Sequence, residues 1–316
     1  MSPSLCKTPK SVRSSKNGSL KDCVKLLSAS LALSAAAAWA HTPKPGQIAQ
    51  HQARRLNTTR QSFKQDGTVV VDGKTYKTEL RWFAPSSYNI VIAGLPSAFT
   101  GVAGNEGQWV LQRRPGGRCS LVAGNRYVQC TPAMFWAMIE LSAQPESVSG
   151  SLIRAGIYSQ ADAVFDETHS SSVSDPQSRR VKLAVGKNGE TPKAVMRIRA
   201  PSAAPEATDA AYIDFDQNFL VPLYAQFQHT GALYKIQART ELNIDREQPR
   251  YSHVLASSLR VFRGDDTIAR FSRAEATPDR SVKEDKFREG VVSLPSFQES
   301  LSGDANNLLT ALLLTH

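Results

Sequence analysis

The sequence predicts an α+β protein: one large, curved antiparallel sheet of ten or more strands covered by a few helices. Three observations predict it. Runs of about 4 to 11 residues rich in Val, Ile, Thr, Tyr, Phe and Trp recur along the chain, separated by short Gly, Pro, Asp, Asn and Ser spacers. Spacers this short force antiparallel neighbours, because a parallel crossover needs a dozen or more residues. Several runs also alternate, as in Tyr234-Lys-Ile-Gln-Ala-Arg239, so one sheet face is wet and the other must be covered by the few helical segments.

The first forty residues read as an export signal. Lys7, Lys10, Arg13, Lys16, Lys21 and Lys25, opposed only by Asp22, precede an apolar and small-residue run from Leu26 that ends in Ala38-Trp39-Ala40. The run of about 15 residues is short for a membrane span of about 20, so cleavage before His41 is expected, with a retained anchor helix as the alternative. No Cys follows the run at a lipid-attachment position. Removing this leader, with its six basic residues and one acidic, takes the totals of 38 and 28 to 32 and 27 and the net charge from +10 to +5. No basic run interleaved with aromatics remains, which argues against nucleic acid as a partner. The longest uninterrupted apolar run beyond the leader is only Ala133 to Ile139.

Gln47 to Phe63 is predicted as an N-terminal helix, being polar with scattered apolar positions and no internal Gly or Pro. A first meander, about 64–130, follows: Thr68–Val71, Lys74–Phe83, Tyr88–Ala93, Gln108–Gln112, Cys119–Val122 and Arg126–Cys130. Cys6 and Cys23 leave with the leader, so Cys119 and Cys130 are the remaining pair, and an exported pair suggests a bridge. With Gly124-Asn125 as a two-residue loop, each Cys lies five positions from the loop and the two stand opposite one another. Opposed residues of this kind have Cα atoms about 5.5 Å apart, within the bridging range of about 4.4 to 6.8 Å. A catalytic redox pair would more usually be CxxC.

Thr131 as N-cap and Pro132 at the first helical position open a helix through Ala133–Leu141, and a second helical stretch, Glu146–Ala155, follows Pro145. These helices, 131–155, are expected to join the two meanders and cover the sheet. After a Ser-rich stretch, His169–Ser174, a second meander occupies about 179–275: Arg180–Val185 and Lys193–Ala200 around a Lys187-Asn188-Gly189 turn, then Ala211–Phe215, Leu220–Phe227, Ala232–Leu242, His253–Phe262 and Thr267–Arg273. Residues 276–316 read as a polar tail ending in a short helix. Residues 41–275 would thus form one β-rich domain.

Leu80-Arg-Trp-Phe-Ala-Pro-Ser-Ser-Tyr-Asn-Ile-Val-Ile92 and Asn105-Glu-Gly-Gln-Trp-Val-Leu111, followed later by Ala211-Tyr-Ile-Asp-Phe-Asp216, Val221-Pro-Leu-Tyr224 and Gly231-Ala-Leu-Tyr234, resemble the periplasmic LolA/LolB lipoprotein-carrier superfamily. The resemblance runs in order over about residues 45–275. It implies an unclosed β-barrel whose concave face and helical lid enclose an apolar cavity for acyl chains, lined by Trp82, Tyr88 and Trp109, with Phe135 and Trp136 on the covering helix. The plainer reading makes the same aromatics ordinary core residues, since buried aromatics usually serve packing.

Other candidate sites have plainer readings. Asp214, Asp216 and Asn218 have calcium-loop spacing, but Phe219 stands where that loop needs Gly and Ala225 where it needs Glu, so a turn is expected and no metal. Arg263-Gly-Asp-Asp266 reads as a hairpin turn. His169, beside Asp166 and Glu167, lacks a second spaced His for a metal site. No GxSxG, HExxH or P-loop occurs, and no nucleophile or cofactor is nominated. The sequence therefore points to a nonenzymatic periplasmic binder of a lipid or acylated lipoprotein. An envelope interaction module or stress sensor on the same fold is the alternative, and a hydrolase with an unrecognised site comes third.

Overall fold

The computed structural model describes residues 47–48, 62–83, 87–96, 107–113, 119–123, 126–130, 152–153, 156–157, 181–200, 211–219, 221–243, 253–274, 276–279 and 303–315. All of them lie in the unit Pro43–His316. They form a single antiparallel sheet of fourteen strands. The first meander is β1 Phe63–Val71, β2 Lys74–Phe83, β3 Ser87–Leu95, β4 Gly107–Arg113, β5 Cys119–Ala123 and β6 Arg126–Cys130. The second is β7 Val181–Asn188, β8 Thr191–Arg199, β9 Tyr212–Asp216, β10 Pro222–His229, β11 Ala232–Asn243, β12 His253–Arg263 and β13 Asp266–Arg273. The two-residue β14, Thr277–Pro278, pairs with β1.

The spatial order is β6-β5-β4-β3-β2-β1-β13-β12-β11-β10-β9-β8-β7. Each meander is thus a run of sequence neighbours, and one long-range pairing, β1 with β13, joins them. The sheet ends at β6 and β7 and is not closed into a barrel.

Local chemistry explains the turns. Asp72 and Gly73 both take positive φ (48° and 79°), as do Thr230 and Gly231 (48° and 78°), the signature of two-residue turns whose twist matches the strands they join. Gly264 (φ 63°) and Asp265 turn between β12 and β13, with Arg263 opposite Asp266, so the Arg-Gly-Asp segment is a hairpin turn. Asp216 accepts hydrogen bonds from the amides of Asn218 (2.7 Å) and Phe219 (2.9 Å), an Asx turn in place of a calcium loop.

Three boundaries depart from expectation. Phe63 does not end a helix but opens β1, five residues before the predicted strand start. Gln47 and Ile48 are helical, and 49–61 lie outside the described residues. Gly67 obscured this strand, yet it sits there for a steric reason: a Cβ on it would lie 2.4 Å from the Ser272 carbonyl oxygen and 2.9 Å from Thr78 Oγ1. Because Gly67 belongs to the β1–β13 seam, Gly67→Ala is expected to cost about 2 kcal/mol through forced strand separation, read as a lowered urea midpoint. The turn predicted at Lys187–Gly189 falls instead at Gly189-Glu190, since Lys187 and Asn188 continue β7.

The third departure concerns the helical cover. Of the helices expected at 131–155, only Leu152 and Ile153 are described, as helical residues, and the rest lie outside the described residues. Among the described residues a single helix of more than two residues appears, α1, Asp304–Thr315. It lies in the segment read as a polar tail, but Leu308, Leu309, Ala311 and Leu312 are buried in the main core, and it packs on β13 and β1. Its apolar residues recur at helical spacing, so one stripe faces the sheet. Asn307 Nδ2 donates to Asp72 Oδ2 (3.2 Å) and ties the helix to the β1–β2 turn.

Register fixes which residues share the covered face. Trp82 stands opposite Tyr88, Ile92 opposite Trp109, Val69 opposite Phe271, and Ile236 opposite Val261, in one continuous apolar layer that includes α1. The other face carries charges such as Lys64, Glu79 and Arg81, which form a half-buried ion-pair chain (2.7 and 2.5 Å).

Candidate functional site

The two faces offer two kinds of site. On the covered face Trp82, Tyr88 and Trp109 are buried to 1%, 1% and 0% exposure. Trp82 stacks between Phe63 (6.2 Å) and Tyr88 (6.4 Å). Trp109 lies one strand further, between Ile92 of β3 and Ala123 of β5. The structure therefore brings the three matched aromatics of the first meander onto one face, while Phe135 and Trp136 lie outside the described residues. Two buried polar atoms on this face, Trp82 Nε1 and Gln65 Oε1, have no hydrogen-bond partner among the described residues, although Gln65 Nε2 donates to the Ala274 carbonyl (2.8 Å). Leaving a buried polar atom without a partner costs about 1 to 3 kcal/mol.

β5 and β6 pair with Cys119 opposite Cys130 and Ala123 opposite Arg126, the predicted register. Formation of the bridge is an expectation: in unreduced, unfolded protein neither thiol should react with a thiol reagent. Labelling of both would show that the cysteines remain free.

The opposite face holds a cleft that sequence reasoning missed. β11 outruns β10, whose pairing ends at Gln237, so the backbone of Ala238 and Thr240 has an edge free for another partner. The tip of the β7–β8 hairpin curls over the face and takes it. Gly189 N donates to the Ala238 carbonyl (3.0 Å), while Asn188 donates to the Thr240 carbonyl (3.0 Å) and accepts from Thr240 N (2.8 Å). Gln237 Nε2 donates to the Gly189 carbonyl (2.6 Å), and Arg260 pairs with Glu190 (2.8 Å). Gly186 permits the curl, because a Cβ there would sit 2.9 Å from Val195 Cγ1 and 3.0 Å from Asp214 Oδ2. Beneath the hairpin Val195, Val221 and Leu223 form a small second core.

The cleft is open to solvent and has a volume of about 430 Å³, walled by β7 and the hairpin tip and floored by β8 to β12. On its floor Arg197 grips Asp214 with two parallel hydrogen bonds, Nε to Oδ1 (2.6 Å) and Nη2 to Oδ2 (2.7 Å). Its guanidinium lies 4.3 Å from the Tyr212 ring centre, and Tyr212 stacks on Tyr224 at 5.5 Å and 26°. Lys235 pairs with Asp265 (2.9 Å) at one end, and Phe262 lies opposite Lys235 in the register.

Burial governs the protonation of this floor. It pushes the Asp214 carboxyl above its usual range, against the downward pull of the Arg197 hydrogen bonds. Arg197 is held above its ordinary value by its hydrogen bond to Asp214. Burial likewise raises Tyr212 and Tyr224, so both phenols stay protonated well beyond neutral pH. Among the described residues no group of three or more His, Cys, Asp or Glu could hold a metal.

The strand carrying Tyr212 and Asp214 was predicted from the sequence, at Ala211–Phe215, but the pairing that sets Arg197 opposite Asp214 was not. The β8–β9 pairing bridges residues 201–210, and no local signal specifies its register.

No protein-family model matches the chain, and no curated protein matches it. Its structural neighbours include a DUF1329 family protein from Desulfovibrio piger, at 12% identity over 78% of this chain and 98% of that one, TM-score 0.39. A LolA superfamily protein from Nitrosomonas europaea is similar at 9% identity over 77% and 97%, TM-score 0.37. In the complex of MucA and MucB from Pseudomonas aeruginosa the likeness is 13% identity over 77% of this chain and 61% of that one, TM-score 0.25. At these scores no residue role or activity passes from them to this chain.

Proposed function

We propose that this is a nonenzymatic, exported periplasmic protein that binds a lipid, or the acyl chains of a lipoprotein, against the covered face of its open sheet, in the service of lipoprotein sorting. The observation that supports this reading most is the composition of that face. It is a continuous apolar layer across an unclosed sheet, carrying Trp82, Tyr88 and Trp109 together with two buried polar atoms that lack a partner among the described residues. An acyl ester suits such a surface: each CH₂ moved from water contributes about 0.8 kcal/mol, and an ester carbonyl can accept from Trp82 Nε1.

Native mass spectrometry of the mature protein purified from the periplasm tests it. A co-purified lipid, with uptake of a fluorescent fatty acid by the delipidated protein, is the expected result. Repeated recovery of bare protein that takes up no fatty acid would overturn the proposal.

A second reading, an envelope interaction module, is favoured by β7. It is an end strand of the sheet, and Leu183 (48%) and Val185 (79%) are exposed on it. Here the ligand would be a protein from the envelope, and Leu183→Lys would weaken its capture without affecting fatty-acid uptake.

A further inference from the structure

The cleft under the β7–β8 hairpin is a separate site from the apolar face, with its own chemistry. Its size, about 430 Å³, lies within the roughly 300 to 1,000 Å³ of small-molecule pockets. Aromatic surface is supplied by the Tyr212–Tyr224 stack and Phe262. The charges around it are largely matched: Arg197 with Asp214, Lys235 with Asp265 and Glu190 with Arg260, leaving Lys187 at the exposed rim.

That balance selects the ligand class. A strongly charged ligand would have to compete with ion pairs already made, which disfavours phosphates and carboxylates. A neutral ligand with many hydroxyls gains from both parts of the cleft. Carboxylate oxygens accept from its hydroxyls, guanidinium, ammonium and Gln237 amide groups donate to them, and the C–H faces of its rings pack on tyrosine and phenylalanine. The geometry is also set in advance, since the bidentate Arg197–Asp214 pair and the hairpin clasp on β11 fix the floor and the wall.

We propose that this cleft binds a neutral saccharide of one or two rings. Val185 stands at its mouth and is 79% exposed, so Val185→Arg blocks entry without disturbing the core.

Saturation-transfer NMR on the full mature protein, with maltose, cellobiose and N,N′-diacetylchitobiose as probes, tests the site. At least one sugar is expected to receive saturation on its ring protons, with affinity falling by about tenfold or more, or 1.4 kcal/mol, in Val185→Arg and in Tyr212→Leu. Inorganic phosphate and acetate are expected not to displace it. Saturation of none of the three sugars, transfer unchanged in folded Val185→Arg, or displacement by either anion would overturn the assignment. Fatty-acid uptake measured on the same Val185→Arg sample is expected to be unchanged, so failure of this site and failure of the lipid reading register separately.

Discussion

Trp109→Ala is expected to lower stability by about 3 to 5 kcal/mol, measured as the change in unfolding free energy in urea. Trp109 is 0% exposed in the main core, opposite Ile92 on β3 and Ala123 on β5. Truncation removes the transfer energy of a large ring and leaves a void that strands pinned on both sides cannot collapse to fill. The same measurement separates two readings of this residue. A loss below about 1 kcal/mol would mean that the ring borders open space rather than close-packed neighbours, as a cavity-lining residue would. Comparing the loss with and without bound fatty acid then shows whether a ligand fills that space.

Arg197→Ala is expected to cost about 3 kcal/mol at pH 7, near the low end for breaking a buried pair because the Arg197 side chain is 27% exposed. The cost arises mainly from what remains. Asp214, whose side chain is 3% exposed, loses both of its charge-assisted hydrogen bonds and keeps its burial. The pH dependence identifies this cause. Burial already holds the Asp214 carboxyl above its usual range, and without Arg197 it rises further. A carboxyl with a raised folded pKa contributes stability that is present below the unfolded value, about 3.9, and is lost as pH rises through the folded value. The gap between wild type and variant should therefore narrow as pH falls from 7 towards 4. A gap that is constant with pH would show that lost packing of the Arg197 stem on Tyr212 dominates instead. The double variant Arg197→Met with Asp214→Leu should recover most of the loss, because matched apolar groups leave no buried charge.

The contrast between these two residues shows how much of the molecule its sequence discloses. Trp109 sits in a strand whose alternation and flanking glycine turns are local signals, so its burial and its face could be read directly. The Cys119–Cys130 register was equally legible, because a two-residue loop sets the pairing of everything that follows it. Gly67 shows the opposite case. A glycine inside a strand lowers the local strand signal, and its reason for being there is the Ser272 carbonyl, more than two hundred residues away. Helix α1 was visible as a short apolar segment, but whether it hung free or closed the core depended on where β1 and β13 met.

By itself, then, the sequence determined the antiparallel meanders, most of their turns and the alternation of faces along the predicted strands, because a period of two and tight turns are properties of neighbouring residues. Only the tertiary structure decided that β1 joins β13, that α1 lies on the seam, and that the β7–β8 hairpin curls onto β11. Those contacts link residues remote in the chain, where the gain of pairing must exceed the entropy of closing long loops and no local pattern specifies the partner. The cleft with Arg197, Tyr212 and Asp214 exists only through them.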